Sequence, residues 1–115
     1  MSKPELPAAC IPCRSNTQPL TEDEVSASAP TVPDWRLADD RKSISRTFAF
    51  MNYQAAVDFI VATAAIAEAQ GHHPEHRLFQ YKRLTFTLTT YAAGGLTAND
   101  FVMARFIDQA WEARA

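Results

Sequence analysis

Two adjacent histidines, His72 and His73, stand in the stretch Glu68-Ala-Gln-Gly71-His72-His73-Pro74-Glu75. Imidazole gains and loses a proton near neutral pH, so a pair of them points first to acid–base chemistry. Pro74 disfavours helical geometry at His73 and holds both rings on an extended segment. Glu68 lies four residues before His72, the spacing that points a carboxylate along a helix toward that imidazole. Two further groups join the set: Thr89-Thr90-Tyr91, which carries hydroxyls and a ring, and Asp100. Each has a plainer reading. Adjacent histidines after a helix are commonly polar surface, and Glu68 can be a solvated carboxylate. Asp100, three residues after Thr97, can complete a capping box and favour the positive end of a helix dipole. His72-x-x-x-His76 has the spacing of a metal pair on a helix, but Pro74 between them excludes a regular helix, so no metal is expected.

The elements that must position these groups are readable from patterning. Residues 1–20 read as a flexible, proline-rich arm and 21–115 as the folded domain. Thr21-Glu-Asp-Glu24 has the form of a capping box and predicts a short helix over 21–28. Ile44, Arg46, Phe48 and Phe50 alternate as in a half-buried strand, with Trp35-Arg-Leu37 as its hairpin partner across the turn Asp39-Asp40-Arg41. Asn52 is a suitable cap, and Tyr53 to Gln70 contains no glycine or proline. There Ala56, Phe59, Ile60, Thr63 and Ala67 recur at helical spacing, and Gly71 supplies the left-handed stop. Leu84, Phe86 and Leu88 alternate with threonines in a second clear strand, and Leu78–Gln80 reads as a short strand before it. Ala93-Gly94-Gly95 breaks the strand, and Thr97 opens a last helix with Met103, Ile107, Ala110 and Trp111 on one side. The order α-β-β-α-β-β-α predicts an α+β domain, a four-stranded antiparallel sheet with about three helices on one face.

Composition narrows the function. The chain has 115 residues, enough for one domain, with 47% apolar residues and a formal charge of -2. Nucleic-acid binding needs a clustered excess of Lys and Arg, and the basic runs here, Arg41-Lys42 and Lys82-Arg83, are only two residues long. No stretch approaches the ~20 apolar residues that cross a bilayer. Pro4, Pro7 and Pro12 interrupt any apolar run behind Lys3, so a cytoplasmic location is expected rather than secretion. Cys10 and Cys13 lack the further ligands of a zinc site and the strand–helix context of a redox site, and read as reduced thiols in the arm.

The spacing Glu68, His72-His73-Pro74, Tyr81, Tyr91, Asp100 resembles the signature of the pterin-4a-carbinolamine dehydratases. So do Gly94-Gly95-Leu96-Thr97-x-x-Asp100-Phe101 and, in the arm, Cys10-x-Pro12-Cys13 followed by Pro19-Leu20-Thr21-Glu22. The resemblance covers nearly the whole chain. It implies a 4a-hydroxytetrahydropterin substrate, formed when aromatic amino acid hydroxylases oxidise their pterin cofactor. Water leaves C4a while a ring nitrogen loses its proton, and no metal or organic cofactor is required. It further implies that His72 and His73 bind the ring and transfer the protons, with Glu68, Tyr91 and Asp100 in the catalytic set. Gly71, Pro74, Thr89, Thr90, Tyr91 and Ala92 would line the substrate pocket. Relatives form dimers and tetramers, so a homo-oligomer is expected.

Two positions depart from the resemblance. Tyr91 stands where members usually carry a third histidine, and a phenol of pKa near 10 is a poor base at neutral pH. His76 stands where many relatives have tryptophan and, if placed near Tyr91, would compensate. The alternative is therefore a non-catalytic binding module, as in relatives that dimerise a homeodomain transcription factor or assist Rubisco assembly.

Overall fold

The computed structural model describes residues 7–11 and 17–114, so Cys13 lies outside the described residues. Helix α1 (Glu22–Ser28) begins where expected. Thr21 Oγ1 accepts the Glu24 N–H, and Glu24 Oε1 accepts the Thr21 N–H in return. These bonds, the backbone one first, hold the Glu24 carboxyl below its ordinary range. A single 3₁₀ turn at Ala29–Thr31 follows.

Strands β1 (Arg36–Leu37), β2 (Ile44–Ala49), β3 (Glu75–Phe79) and β4 (Arg83–Leu88) form one antiparallel sheet in the order β1-β2-β4-β3. Its register puts Ile44 opposite Leu88, Arg46 opposite Phe86 and Phe48 opposite Leu84. Paired residues share a face, so these side chains, with Leu78 and His76 from β3, look toward the helices. Ser45, Thr47, Thr85, Thr87 and Glu75 occupy the other face, where Thr47 and Thr85 hydroxyls meet across the strands at 2.7 Å.

Helix α2 (Tyr53–Gln70) is capped by Asn52 Oδ1, which accepts the Ala55 N–H at 2.8 Å. It buries Ala56, Phe59, Thr63 and Ala67 at the spacing expected. Helix α3 (Ala98–Ala113) is enclosed on every side at its start, with residues 99–104 all buried, the polar Asn99 and Asp100 among them. Between sheet and helices Phe48, Phe59, Phe86 and Trp111 stack edge to face and tilted, with centroids 4.8–6.0 Å apart. Each buried ring of this size contributes about 1.5–3 kcal/mol of transfer free energy, which makes this cluster the centre of the core. Asp108 of α3 ties the layers together. It accepts from Trp35 Nε1 at 2.8 Å and from Arg46 of β2 at 2.6 Å.

The observed architecture is the α+β order expected. β1 and β2 are each one residue shorter than expected, and β3 differs most: it spans Glu75–Phe79, where the sequence suggested only Leu78–Gln80. It is an edge strand whose first three residues are exposed, so it lacks the apolar alternation that marks a strand. Gln80 and Tyr81 instead turn the chain with positive φ of 48° and 54°, without a glycine.

Candidate active site

The first determinant of the site is how α2 ends. Gly71 takes φ 67°, and its N–H and that of His72 both donate to Ala67 O, at 2.9 and 3.3 Å. This left-handed stop reverses the chain and sends His72 toward the start of α3. A side chain at Gly71 would meet nothing within 4 Å, so backbone conformation rather than space calls for glycine.

His72 is buried, 8% exposed, and its Nε2 lies 2.7 Å from Oδ1 of the wholly buried Asp100. The second carboxylate oxygen, Oδ2, accepts the Thr90 hydroxyl at 2.8 Å and the Thr97 N–H at 2.9 Å. Thr97 Oγ1 lies 2.8 Å from Thr90 Oγ1, and since Thr90 donates to Asp100, Thr97 donates to Thr90. An ionised Asp100 only accepts, so His72 must donate from Nε2. Neutral His72 therefore carries its proton on Nε2 and offers Nδ1 as its remaining acceptor. Asp100 thus caps α3, as its position after Thr97 predicts, and also orients the His72 imidazole, a contact the sequence reading did not name.

His73 faces elsewhere. Its Nε2 lies 2.5 Å from Glu68 Oε2, and 60% and 78% of the two side chains are exposed. The expectation that Glu68 points at His72 is corrected here. The reversal at Gly71 carries His72 inward and leaves His73 as the neighbour of the last turn of α2. A cavity of about 330 Å³ opens beside this pair, with Ile60, Ala67 and Phe86 as apolar wall and Glu68, His73, Pro74 and His76 at its rim.

A second, more polar pocket of about 420 Å³ lies on the other side, lined by Lys42, Glu75, Thr87, Thr89, Thr90 and Tyr91 among others. Thr90 closes its loop by an antiparallel bridge to Gly95, and residues 91–93 form a 3₁₀ turn that leaves Tyr91 78% exposed. The Tyr91 hydroxyl donates to the Glu75 carboxylate. Thr89 Oγ1 donates to Lys42 O at 2.6 Å. The expected pocket set is therefore divided: Pro74 and His73 border the first cavity, Thr89, Thr90 and Tyr91 the second, and Gly71 and Ala92 neither. His72 and Asp100 lie buried, joined to the second pocket through Thr90. Among the described residues no group of three or more His, Cys, Asp or Glu side chains is arranged to hold a metal ion. Nor is any described helix long and apolar enough to cross a membrane.

The profile of the Pterin 4 alpha carbinolamine dehydratase family matches residues 18–110. The chain belongs to this family. A relative from Cupriavidus pinatubonensis, provisionally named pterin-4-alpha-carbinolamine dehydratase 1, is 41% identical over 95 residues, covering 83% of this chain and 81% of its own. One from Chloroflexus aggregans, with the same provisional name but no number, is 42% identical over 90 residues, covering 78% and 94%. Among solved structures, a transcriptional coactivator/pterin dehydratase from Brucella melitensis superposes with a TM-score of 0.74 at 33% identity. That match covers 81% of this chain and 98% of the other. A pterin dehydratase-like protein identified as a RuBisCO assembly factor in the alpha-carboxysome superposes with a TM-score of 0.57 at 26% identity, covering 67% and 88%.

Within the dehydratase family pattern, the structure separates the two departures seen in the sequence. His76 shares the helix-side face of β3, its ring 6.0 Å from that of Phe86. Tyr91 bonds Glu75, the neighbouring residue, which points to the opposite face. His76 is thus not the neighbour of Tyr91 that compensation requires. Sequence reading also passed over Glu75 as the partner of Tyr91 and over Thr90 as a donor to Asp100, whereas the Thr97 N–H that Asp100 accepts is the bond its capping box predicts.

Proposed function

We propose that the protein dehydrates a 4a-hydroxytetrahydropterin to the quinonoid dihydropterin. The observation that carries this reading is the pair of successive imidazoles, each held by its own carboxylate, one buried and one exposed. In the reaction the C4a–O bond breaks, a ring N–H bond breaks, a C=N bond forms and water leaves. His73, exposed beside Glu68, takes the proton from the ring nitrogen. His72 delivers a proton from Nδ1 to the departing hydroxyl, and Asp100 stabilises the imidazolium from which it comes. His73 and Pro74 from one side of the start of β3, and Thr89, Thr90 and Tyr91 from the other, bind the ring. Their proximity is supported by the register, since β3 opens with Glu75 opposite Thr87, and by the meeting of His72 and Thr90 at Asp100. Glu75 holds the phenol of Tyr91, which contacts the ring by stacking and hydrogen bonding rather than as the base.

The test is the decay of enzymatically generated 4a-hydroxytetrahydropterin. Added protein speeds it, and variants His72→Ala and His73→Ala do not. Decay at the buffer rate with folded wild-type protein excludes the reaction.

A second reading, a protein-binding module, is favoured by Tyr91 and by the likeness to the RuBisCO assembly factor. Under it the pterin assay is silent and a defined protein partner is recovered. In either case we infer a homodimer or homotetramer in the cytoplasm. Tyr53 and Val61 on α2 are 56% and 64% exposed, an apolar surface that association would cover.

A further inference from the structure

We propose that residues 7–11 form a strap that fixes the relative placement of His72 and Asp100, with Gln70 and Asn99 as positioning residues. Its kinetic consequence rests on the dehydratase reading; its structural consequence does not.

The N–H of Cys10 donates to Gln70 Oε1 at 2.9 Å. At the next residue, the N–H of Ile11 donates to Asn99 Oδ1 at 2.8 Å, and Asn99 Nδ2 returns a bond to Ile11 O at 2.6 Å. Asn99 is only 5% exposed, and its amide pairs with the strap backbone as a neighbouring strand does. The Cys10 thiol lies 3.6 Å from Asn99 O, and Arg105 donates to Pro7 O at 2.9 Å, which secures the strap's start on α3.

Gln70 is the last residue of α2 and precedes His72 by two positions; Asn99 immediately precedes Asp100. Consecutive strap residues therefore join the two helix ends next to which the buried pair projects. The Cys10, Ile11 and Pro7 bonds to Gln70, Asn99 and Arg105 use the strap's backbone, so recognition resides in those helix side chains. A segment that merely covered apolar surface would require none of them. A hydrogen-bonded pair must keep its atoms within a few tenths of an ångström, and helix ends are where backbones fray. The strap supplies a tie at that weak point.

The experiment uses full-length protein and the imidazole ¹⁵N and ring-proton signals of His72, which report its hydrogen bond to Asp100. Asn99→Ala and Gln70→Leu are each expected to shift those signals and to speed amide exchange over residues 98–101. Gln70→Glu, which keeps an acceptor at Oε1, is expected to restore the wild-type signals. If the protein turns over the pterin, kcat falls roughly tenfold in the first two variants with KM unchanged, the signature of misplacement rather than lost binding. Wild-type His72 signals in Asn99→Ala or Gln70→Leu, with the strap shown released by exchange at residues 7–11, overturn the proposal. Should Asn99→Ala fail to fold, the Gln70→Leu and Gln70→Glu comparison decides it alone. Should wild-type protein lack dehydratase activity, the spectroscopic result still stands or falls by itself.

Discussion

His72 meets Asp100 at 2.7 Å with 10% and none of the two side chains exposed, while one residue later His73 meets Glu68 at 2.5 Å with 60% and 78% exposed. The partners are chemically almost alike. The settings are not. Asp100 is out of water, and it accepts three donors supplied by three parts of the chain: the segment after α2, the segment after β4 and the start of α3. Losing any one leaves a buried polar atom unpaired, so the pair is tied to the fold itself. The exposed pair gains little from its charges, because solvent and salt screen them. What exposure preserves is freedom of the His73 ring to leave Glu68, which the proposed proton transfer requires. The two pairs thus divide fixity and access between adjacent residues.

The most severe way to disturb this contrast is to empty the buried side. Asp100→Ala strands His72, Thr90 and the Thr97 N–H, and a loss of about 3–5 kcal/mol is expected from urea unfolding. If the loss is under 1 kcal/mol, water replaces the carboxylate and the buried pair is not structural. Next, His73→Ala is expected to leave the unfolding midpoint nearly unchanged while lowering pterin dehydration ~10²–10⁴-fold. Equal losses of stability and activity would erase the division between the pairs. Tyr91→His tests the other side of the site: turnover is expected to rise by up to about 10²-fold if a third imidazole can carry a proton there. An unchanged rate assigns position 91 to binding alone. Smallest is Glu68→Gln, expected to shift stability by less than about 1 kcal/mol, less still in high salt. A salt-insensitive loss would mean that the exposed pair is more desolvated than its geometry indicates.

The sequence carried the fold well where local and tertiary preferences agree. Thr21 and Glu24, Asn52, Gly71 and Thr97 each mark a helix end by a side-chain or backbone requirement that is local, and each does so in the structure. It carried Glu75–Arg77 poorly, since an edge strand exposed on both faces has no apolar alternation to read. The candidate residues were legible by type and spacing, but their pairing was not. A separation of four predicts that Glu68 meets His72 only if the helix continues, and Gly71 ends it first. The Tyr91–Glu75 contact and the Thr97–Thr90–Asp100 chain link residues from different elements, and no local pattern encodes that. His76 and Tyr91 fell on opposite faces for a reason of parity: the side chains of Glu75 and His76 alternate across the strand.

One consequence of the left-handed stop at Gly71 concerns the helix before it. Each residue of an α-helix turns the chain by about 100°, so the length of α2 sets the compass bearing at which Gly71 releases the chain. With its 18 residues, α2 lets go pointing at the start of α3. One residue more or fewer, leaving every contacting side chain in place, would swing that exit by more than a quarter-turn and carry His72 away from Asp100. A change of three or four would nearly restore the bearing while moving the exit along the axis by about 5 Å. The length of this helix is in that sense part of the site: it is the dial on which the histidine segment is aimed.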